Sequence, residues 1–436
     1  MKVSIIGAGL AGCECAYQLL KRGVEVDLYE MKPHKFTPAH HSDKFAELVC
    51  SNSLKSNLIS TAGGMLKEEL RKLDSLLIKC ADMHAVPAGS ALAVDREKFS
   101  DQVTSELKKF SNLNIIYGEV TKLPEGVVVV ATGPLTSDGL SLTLAKLLGD
   151  NYLYFFDAIA PIVTGDSINF DIAFVGDRYG KGNGDYVNCP MTKEQYETFY
   201  NELVKGEIVK LKDFENTKVF EGCMPVEVLA KRGADALRYG PLKPVGITNP
   251  HTGKGAYAVV QLRKENVLGD CYNLVGFQTN LTYTEQARIF KLIPGLENAE
   301  FLRFGTMHKN TYINAPTLLN KHYQLLNYPN IFIAGQLSGV EGYIESISSG
   351  LVTALNVYNW INNLPMYDFG TSTMIGALSN YLQSANPVNF QPMSSNMGLI
   401  STTITHKDKK QKNTLIAQNS LQIIDKILND TSQNQK

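Results

Sequence analysis

The chain opens on MKVSIIGAGLAGCECAYQLLKRGVEVDLYE, residues 1–30, and this segment constrains everything after it. An apolar run, Val3 to Ile6, reads as a short buried strand. Gly7-x-Gly9-x-x-Gly12 follows at once, then a helix-like stretch and a second strand, Val24–Tyr29, closed by Glu30. Glycines at these three places let the backbone turn tightly and approach a pyrophosphate. The helix N-terminus turns free N–H groups and a positive dipole end toward the anion. Glu30 stands 18 residues after Gly12, near the spacing at which an acid accepts a ribose 2′-hydroxyl. Strand, glycines, helix, strand and acid in that order predict a dinucleotide site. A glycine-rich turn in an ordinary βαβ unit is the competing reading.

At 436 residues the chain is long enough for two or three domains. With 42 Lys and Arg against 43 Asp and Glu, its net charge is −1. A global basic field of the kind that advertises nucleic acid is therefore excluded, while a local basic patch is compatible with that balance. Seven cysteines, at 13, 15, 50, 80, 189, 223 and 271, form no CxxC pair. With no secretory-type leader and no long apolar run, reduced thiols and a cytoplasmic location are expected, without membrane attachment. Cys13 and Cys15 fall in the first helix and read as small core residues. His40 and His41 are near no cysteine pair, and no metal site is expected.

Residues 1–150 read as α/β. Within them Gly64–Ile78 places Leu66, Leu70, Leu73 and Leu77 at helical spacing. Further on, Val127 to Val130 read as a buried strand that ends in Ala-Thr-Gly133, as a parallel sheet needs where a cofactor crosses its strand ends. Residues 151–324 change character: aromatic strand-like runs (Tyr152–Phe156, Ile172–Val175), many glycines, and an alternating strand before Arg263. They read as a smaller α+β domain inserted into the first. A second strand–glycine–helix element, Asn330–Ala334 then Gly335, Gly339, Gly342 and a helix through Leu364, returns the chain to the first domain, 325–365. Residues 366–436 are rich in Ser, Asn and Thr and suggest a polar segment with one closing helix over Leu415–Leu428.

Cys50 lies in FAELVCSNSLKS and Cys223 in FEGCMPVEVLAKRG, both where an apolar run breaks. Such junctions expose a thiol and suit a reactive cysteine; two buried structural cysteines are the other reading. Lys231, Arg232, Arg238, Lys243, Lys254, Arg263 and Lys264 cluster downstream and could meet phosphates or simply face solvent. Interleaved aromatics, Tyr239, Tyr257, Phe277 and Tyr283, suit a stacking wall or a core equally.

Taken together, IIGAGLAGCECAYQL (5–19), AELVCSNSLKS (46–56), GSALAVDRE (89–97), VVATGPLTS (129–137), FEGCMPVE (220–227), RYGPLKPVGI (238–247), NLVGFQTNL (273–281), AGQLSGVEGYIES (334–346) and NFQPMSSNMGL (389–399) resemble one family, in its order and over nearly the whole chain. It is the folate- and FAD-dependent RNA uracil-5-methyltransferases, TrmFO. The resemblance implies a Rossmann-like FAD-binding domain and methylation of C5 of an RNA uridine, most often in the tRNA T-loop. The carbon comes from 5,10-methylenetetrahydrofolate, with FAD and NADPH or NADH supplying electrons. It implies Cys50 as the thiolate that attacks C6 and Cys223 as the base that takes the C5 proton, or the reverse. Gly7, Ala8, Gly9, Leu10, Ala11, Gly12 and Glu30 would hold the ADP half of FAD. Gly133, Gly335, Gln336, Gly339, Gly342 and Tyr343 would lie along its pyrophosphate and ring end. Tyr343 and Tyr283 would stack near flavin or folate. Lys231, Arg232, Arg238 and Lys243 would meet RNA phosphates. No obligate protein partner is implied.

The chain departs from the family pattern at a few places. GFQTHLKW becomes GFQTNLTY, placing Asn280 and Tyr283 where many members have histidine and tryptophan. Lys55 and Lys309 replace arginines, keeping charge but losing the bidentate fork, and the segment after GVEGYIES reads ISSGLVTAL in place of an alanine-rich run. These sit where substrate or folate is expected, so a uridine of 23S ribosomal RNA is the alternative target. A plain FAD/NAD(P)H oxidoreductase of a small molecule shares the fingerprint but needs neither cysteine motif. The related wobble-uridine enzymes carry a long helical C-terminal domain that this chain lacks.

Overall fold

The computed structural model describes residues 2–37, 39–149, 152–158, 160–180, 184–209, 224–266 and 269–434. Strand β1 (Lys2–Ile6) enters a glycine turn, helix α1 (Leu10–Leu20) and parallel strand β2 (Glu25–Glu30), in register Ile5 to Leu28. Helices α2 (Ala62–Lys72), α3 (Leu76–Met83) and α4 (Arg96–Lys108) follow, then β3 (Leu113–Tyr117), β4 (Val127–Val130) and α5 (Asp138–Leu148). Strands β3 and β4 join the same parallel sheet, beside β2 and β1 respectively. Ile5 and Val128 to Val130 have no exposed surface, as strands covered on both faces require.

The chain leaves this sheet along Tyr152–Ala158, builds a second one, and comes back along the antiparallel Met307–Ile313. The second sheet holds β5 (Ile162–Thr164), β6 (Phe174–Val175), β7 (Tyr186–Met191), β8 (Ala258–Lys264), β9 (Cys271–Leu274) and β10 (Phe301–Arg303), in spatial order β6-β7-β8-β9-β5-β10, every pair antiparallel. In β8 the alternation is used fully. Ala258, Val260 and Leu262 enter a core with Phe199 and Leu203 of α6 (Lys193–Lys205), while Gln261 and Arg263 turn to the opposite face. At Arg263 that face meets Ser51 and Asn52.

Strand β11 (Ile331–Ile333) then completes the first sheet beside β4, giving the order β11-β4-β1-β2-β3. Helix α7 (Tyr343–Ile361) crosses α1 backbone to backbone: a Cβ added at Gly350 would stand 2.3 Å from the Ala11 carbonyl oxygen. The chain closes with α8 (Met374–Ser384) and α9 (Lys409–Asn434). Among the described residues no helix is long and apolar enough to cross a membrane.

Two local expectations change. The stripe Leu66, Leu70, Leu73, Leu77 is buried, but on two helices. Asp74 takes a left-handed φ of 56°, and Ser75 caps α3 by accepting from the Ile78 N–H. The segment after Pro365 carries a second helix, α8, whose Met374, Ile375, Leu378 and Leu382 are core residues.

Helix α8 is anchored by Glu69, which is fully buried. Its carboxylate accepts from the Met374 and Ile375 N–H groups, at 2.7 and 2.9 Å, and from the Ser420 hydroxyl. Burial pushes this acid up to about 7, against the opposing pull of those hydrogen bonds. The folded state therefore holds a proton that the unfolded chain has lost, so this contribution is complete below about pH 4.5 and fades as pH rises through 7. Its size is about 3 kcal/mol. The melting-temperature advantage of wild type over Glu69→Gln is expected to shrink between pH 5 and pH 8. Calorimetry at stepped pH checks this, and a constant or growing advantage contradicts it.

Candidate active site

The strand-to-helix turn has three glycines with three different reasons. Gly7 sits at φ 101°, closed to other residues, and its N–H donates to the Tyr29 carbonyl at 2.8 Å. Gly12 packs against it so closely that a Cβ would lie 1.8 Å from the Gly7 oxygen. A Cβ on Gly9 would meet nothing within 4 Å, because its side opens on a cavity. Glu30 is buried at the end of β2 and accepts from the Ala8 and Lys32 N–H groups, both at 3.0 Å. The acid thus fixes the turn and lines a cavity together with Gly7 to Gly9.

Two cavities adjoin here. A narrow one of about 80 Å³ is lined by Gly7, Ala8, Gly9, Glu30, Glu119 and Thr132. A larger one of about 380 Å³ shares Gly9, His40, Glu47 and Thr132 with it and runs on to Cys50, Lys55, Gly335 and Tyr343. A third, wider space of about 800 Å³ opens between Phe36 and Tyr283. This continuous recess suits an elongated ligand: phosphate-width backbone access at Gly9 and a broad chamber at the thiol end.

The Cys50 loop is held from all sides. The Tyr343 hydroxyl oxygen accepts from the N–H groups of Cys50 and Ser51, at 2.8 and 3.1 Å, and burial pushes this phenol up. Arg96 donates to the carbonyls of Leu48 and Cys50, at 2.7 and 3.2 Å, and Arg303 to those of Val49 and Cys50, at 3.1 and 3.2 Å. Arg263 donates to Asn52 Oδ1 at 2.9 Å and Ser51 Oγ at 2.7 Å. Glu265, itself buried, pairs with Arg96. Nearby, Lys55 Nζ meets the fully buried Glu345 at 2.6 Å. A Cβ on Gly342 would lie 2.3 Å from Glu345 Oε2, so only glycine fits there.

Tyr343→Phe is expected to lower the melting temperature. It strips the acceptor from two N–H groups in a half-buried loop, which costs about 1–3 kcal/mol. Faster proteolysis within 46–52 should accompany it; a wild-type melting curve would count against the anchoring role.

Of the residues expected around a cofactor, Gly7, Ala8, Gly9 and Glu30 line the narrow cavity. Leu10, Ala11, Gly133, Gly335, Gln336, Gly342 and Tyr343 line the larger one, with Cys50. Gly12 and Gly339 line neither. Gly12 is required by Gly7, and Gly339, at φ 96°, by the Phe390 ring 2.6 Å from where its Cβ would be. The Tyr343 hydroxyl anchors the Cys50 loop, and Tyr343 also lines the larger cavity, where the resemblance expects a stacking ring. Tyr283 is 54% exposed, stacked on Phe304 with ring centroids 5.0 Å apart, at the wide space. Cys223 lies outside the described residues.

The basic cluster divides. Lys231, Arg232 and Lys243 are exposed. Arg238 lies over the Tyr257 ring at 3.7 Å and donates to Asp235 and the Tyr257 carbonyl, while Arg263 is buried against the Cys50 loop. Cys13 and Cys15 are core. Among the described residues no group of three His, Cys, Asp or Glu side chains is gathered for a metal. The sequence does not single out Arg96, which falls within the family-like segment 89–97, or Arg303; nothing in their spacing relates them to Cys50.

Fold and recess define a dinucleotide-binding protein of the Rossmann class, with a cysteine at the far end of its ligand channel. The family model described as "Glucose inhibited division protein A" matches residues 2–365. A protein of Acetivibrio thermocellus named methylenetetrahydrofolate–tRNA-(uracil-5-)-methyltransferase TrmFO is 56% identical over 424 residues, 97% of each chain. A Bacillus subtilis protein of the same name is 51% identical over 98% of each. Crystalline Aquifex aeolicus GidA shares the fold at a TM-score of 0.69 and 15% identity, over 99% of this chain and 76% of its own. The chain belongs to the glucose-inhibited division protein A family, on its TrmFO branch.

Proposed function

We infer that this chain methylates C5 of a uridine in tRNA, taking its carbon from 5,10-methylenetetrahydrofolate. What supports the reading most is end-to-end similarity to proteins named for that reaction, joined to a loop-held cysteine in the recess that starts at the glycine turn. The open side of Gly9 and the acid at Glu30 fit FAD, which supplies the electron pair that turns a methylene into a methyl group, with NADPH or NADH as its source. Gly7, Ala8, Gly9 and Glu30 would hold its nucleotide half; Gly133, Gly335, Gln336 and Gly342 would lie along the rest. In this reading residues 1–150 and 325–365 carry the cofactor and 151–324 meet folate and RNA.

Uracil C5 is a poor nucleophile. Addition of the Cys50 thiolate to C6 forms a sulfur–carbon bond and moves electron density to C5, which bonds to the methylene carbon as that carbon's bond to folate nitrogen breaks; loss of the C5 proton then expels the thiolate from C6. Cys223 accepts the C5 proton; the two cysteines exchanged is the other assignment. The base must leave its stack to reach the thiol. Lys231, Arg232 and Lys243 would take phosphates, with Arg238 tied to Tyr257 and held back from a primary role.

The test offers unmodified tRNA and large-subunit ribosomal RNA side by side to the purified protein, with FAD, NADPH and methylene-labelled folate. Label in 5-methyluridine of tRNA is expected. Label only in ribosomal RNA would replace the substrate, and NADPH consumption with no label would overturn the methyltransferase reading.

A further inference from the structure

We propose that Tyr179 is a stacking platform for an unpaired base of the RNA substrate, held by Arg178 on the sheet face that meets the Cys50 loop. The inference rests on the reading that this chain acts on RNA.

Tyr179 lies between β6 and β7 at φ 59° and ψ 22°. A bulky residue in the left-handed region is strained, and such strain persists only where the surrounding structure imposes it. Among the described residues two tyrosines adopt positive φ. Tyr323 is 2% exposed, so packing of its ring offsets the cost. Tyr179 is 63% exposed, and its ring gains little from the fold. Three ties impose the bend. The Tyr179 N–H donates to the Gly246 carbonyl at 2.6 Å. Arg178 donates from Nη1 to the Val245 carbonyl at 2.8 Å and from Nε to Gln261 Oε1 at 3.0 Å. Gly246, at φ 84°, lets the ring settle on backbone: a Cβ there would stand 2.9 Å from two ring carbons. The ring is thus seated on protein and left open to solvent.

Position and charge say what the open ring takes. On β8, Gln261 stands two residues from Arg263, about 7 Å along one face of the strand. Arg263 reaches the Cys50 loop at Ser51 and Asn52, and Gln261 reaches Arg178. One short polar row therefore joins the ring to the thiol loop, and RNA presenting a base at Cys50 passes the ring within a few nucleotides. Lys243 and Lys254, both exposed, flank the segment that carries Val245 and Gly246. The nearby acids are engaged by backbone. Asp177 accepts from the Gly184 and Asp185 N–H groups, at 2.6 and 3.1 Å, and Asp185 from the Gly89 N–H. A flat ring among cations fits a nucleobase between its phosphates: the base stacks while the cations meet phosphate oxygens.

The experiment measures binding of a fluorescein-labelled, unmodified tRNA transcript to the FAD-loaded protein, by anisotropy across a salt series. Tyr179→Gly is expected to weaken binding about tenfold, as loss of a stacked base does. Its melting temperature should match or exceed that of wild type, because glycine suits this φ. Tyr179→Trp keeps a stacking face and should bind as wild type does. The slope of affinity against salt should hold in Tyr179→Gly and become shallower in Lys243→Ala, which removes a phosphate contact. A fluorescent aminopurine, placed in turn at each position flanking the target uridine, should be quenched at one of them by wild type and not by Tyr179→Gly. Wild-type affinity in Tyr179→Gly overturns the proposal. So does Tyr179→Trp binding as weakly as Tyr179→Gly, or a lowered melting temperature in Tyr179→Gly, either of which would make the ring structural. Should wild type bind the transcript yet form no 5-methyluridine, the methyltransferase reading fails while the platform stands; a wild type that binds no RNA overturns both.

Discussion

Cys50→Ala is expected to abolish methyl transfer and to leave a yellow, folded protein. The expected loss exceeds about a thousandfold, because without sulfur addition at C6 no electron density reaches C5. The flavin stays because Cys50 bonds to the fold through its backbone. Its N–H donates to Tyr343 and its carbonyl accepts from Arg96 and Arg303. Cys223→Ala should lose turnover as completely at a different stage. It can still add Cys50 to the uridine, so an RNA–protein adduct resistant to denaturant is expected to accumulate in Cys223→Ala and to be missing in Cys50→Ala. Wild-type turnover in either variant removes that residue from the chemistry. An adduct in Cys50→Ala instead would exchange the two roles.

Gly12→Ala is expected to emerge without flavin and with a markedly lower melting temperature. Its Cβ would stand 1.8 Å from the Gly7 carbonyl oxygen, and backbone cannot step aside as a flexible side chain can. Overpacking of this kind costs about 1–3 kcal/mol before the ligand is counted. Loss of a tightly bound cofactor adds about 4 kcal/mol at a thousandfold excess over Kd. Gly9→Ala is the matched control, since its Cβ enters open space. That variant should fold with an unchanged apoprotein melting temperature and bind FAD weakly, because the methyl takes up ligand room. A flavin-loaded Gly12→Ala would show that the turn yields more than its geometry implies.

The opening turn could be read directly because its logic is local: strand, glycines, helix and acid lie within thirty residues. The four-valine strand was equally plain, since a run of β-branched residues bounded by glycines has few other uses. Function in individual glycines was harder. Gly9 faces a cavity, Gly12 faces backbone and Gly339 faces Phe390, yet in sequence all three look like cofactor glycines. The arginines around Cys50 were hidden for another reason. A buried Arg263 and an exposed Lys243 sit in one basic-looking stretch, and only the alternation of β8 against the loop at 48–52 separates them. In the last third, the apolar residues of α8 are diluted by Ser, Thr and Asn, and the acid that anchors that helix, Glu69, lies far upstream. Long-range polar anchors leave no periodic trace.

The order of synthesis gives the pairing of β4 with β11 a meaning beyond architecture. Val127 to Val130 are made early, but the strand that covers their outer edge, Ile331–Ile333, follows only after the whole second sheet. Until then a flat valine edge is bare on the growing chain, the kind of surface that recruits other strands. The same late segment brings Tyr343 to Cys50. A nascent or truncated chain that stops short of it has a sticky sheet and a Cys50 loop lacking its Tyr343 anchor, so solubility and the setting of the thiol mature together.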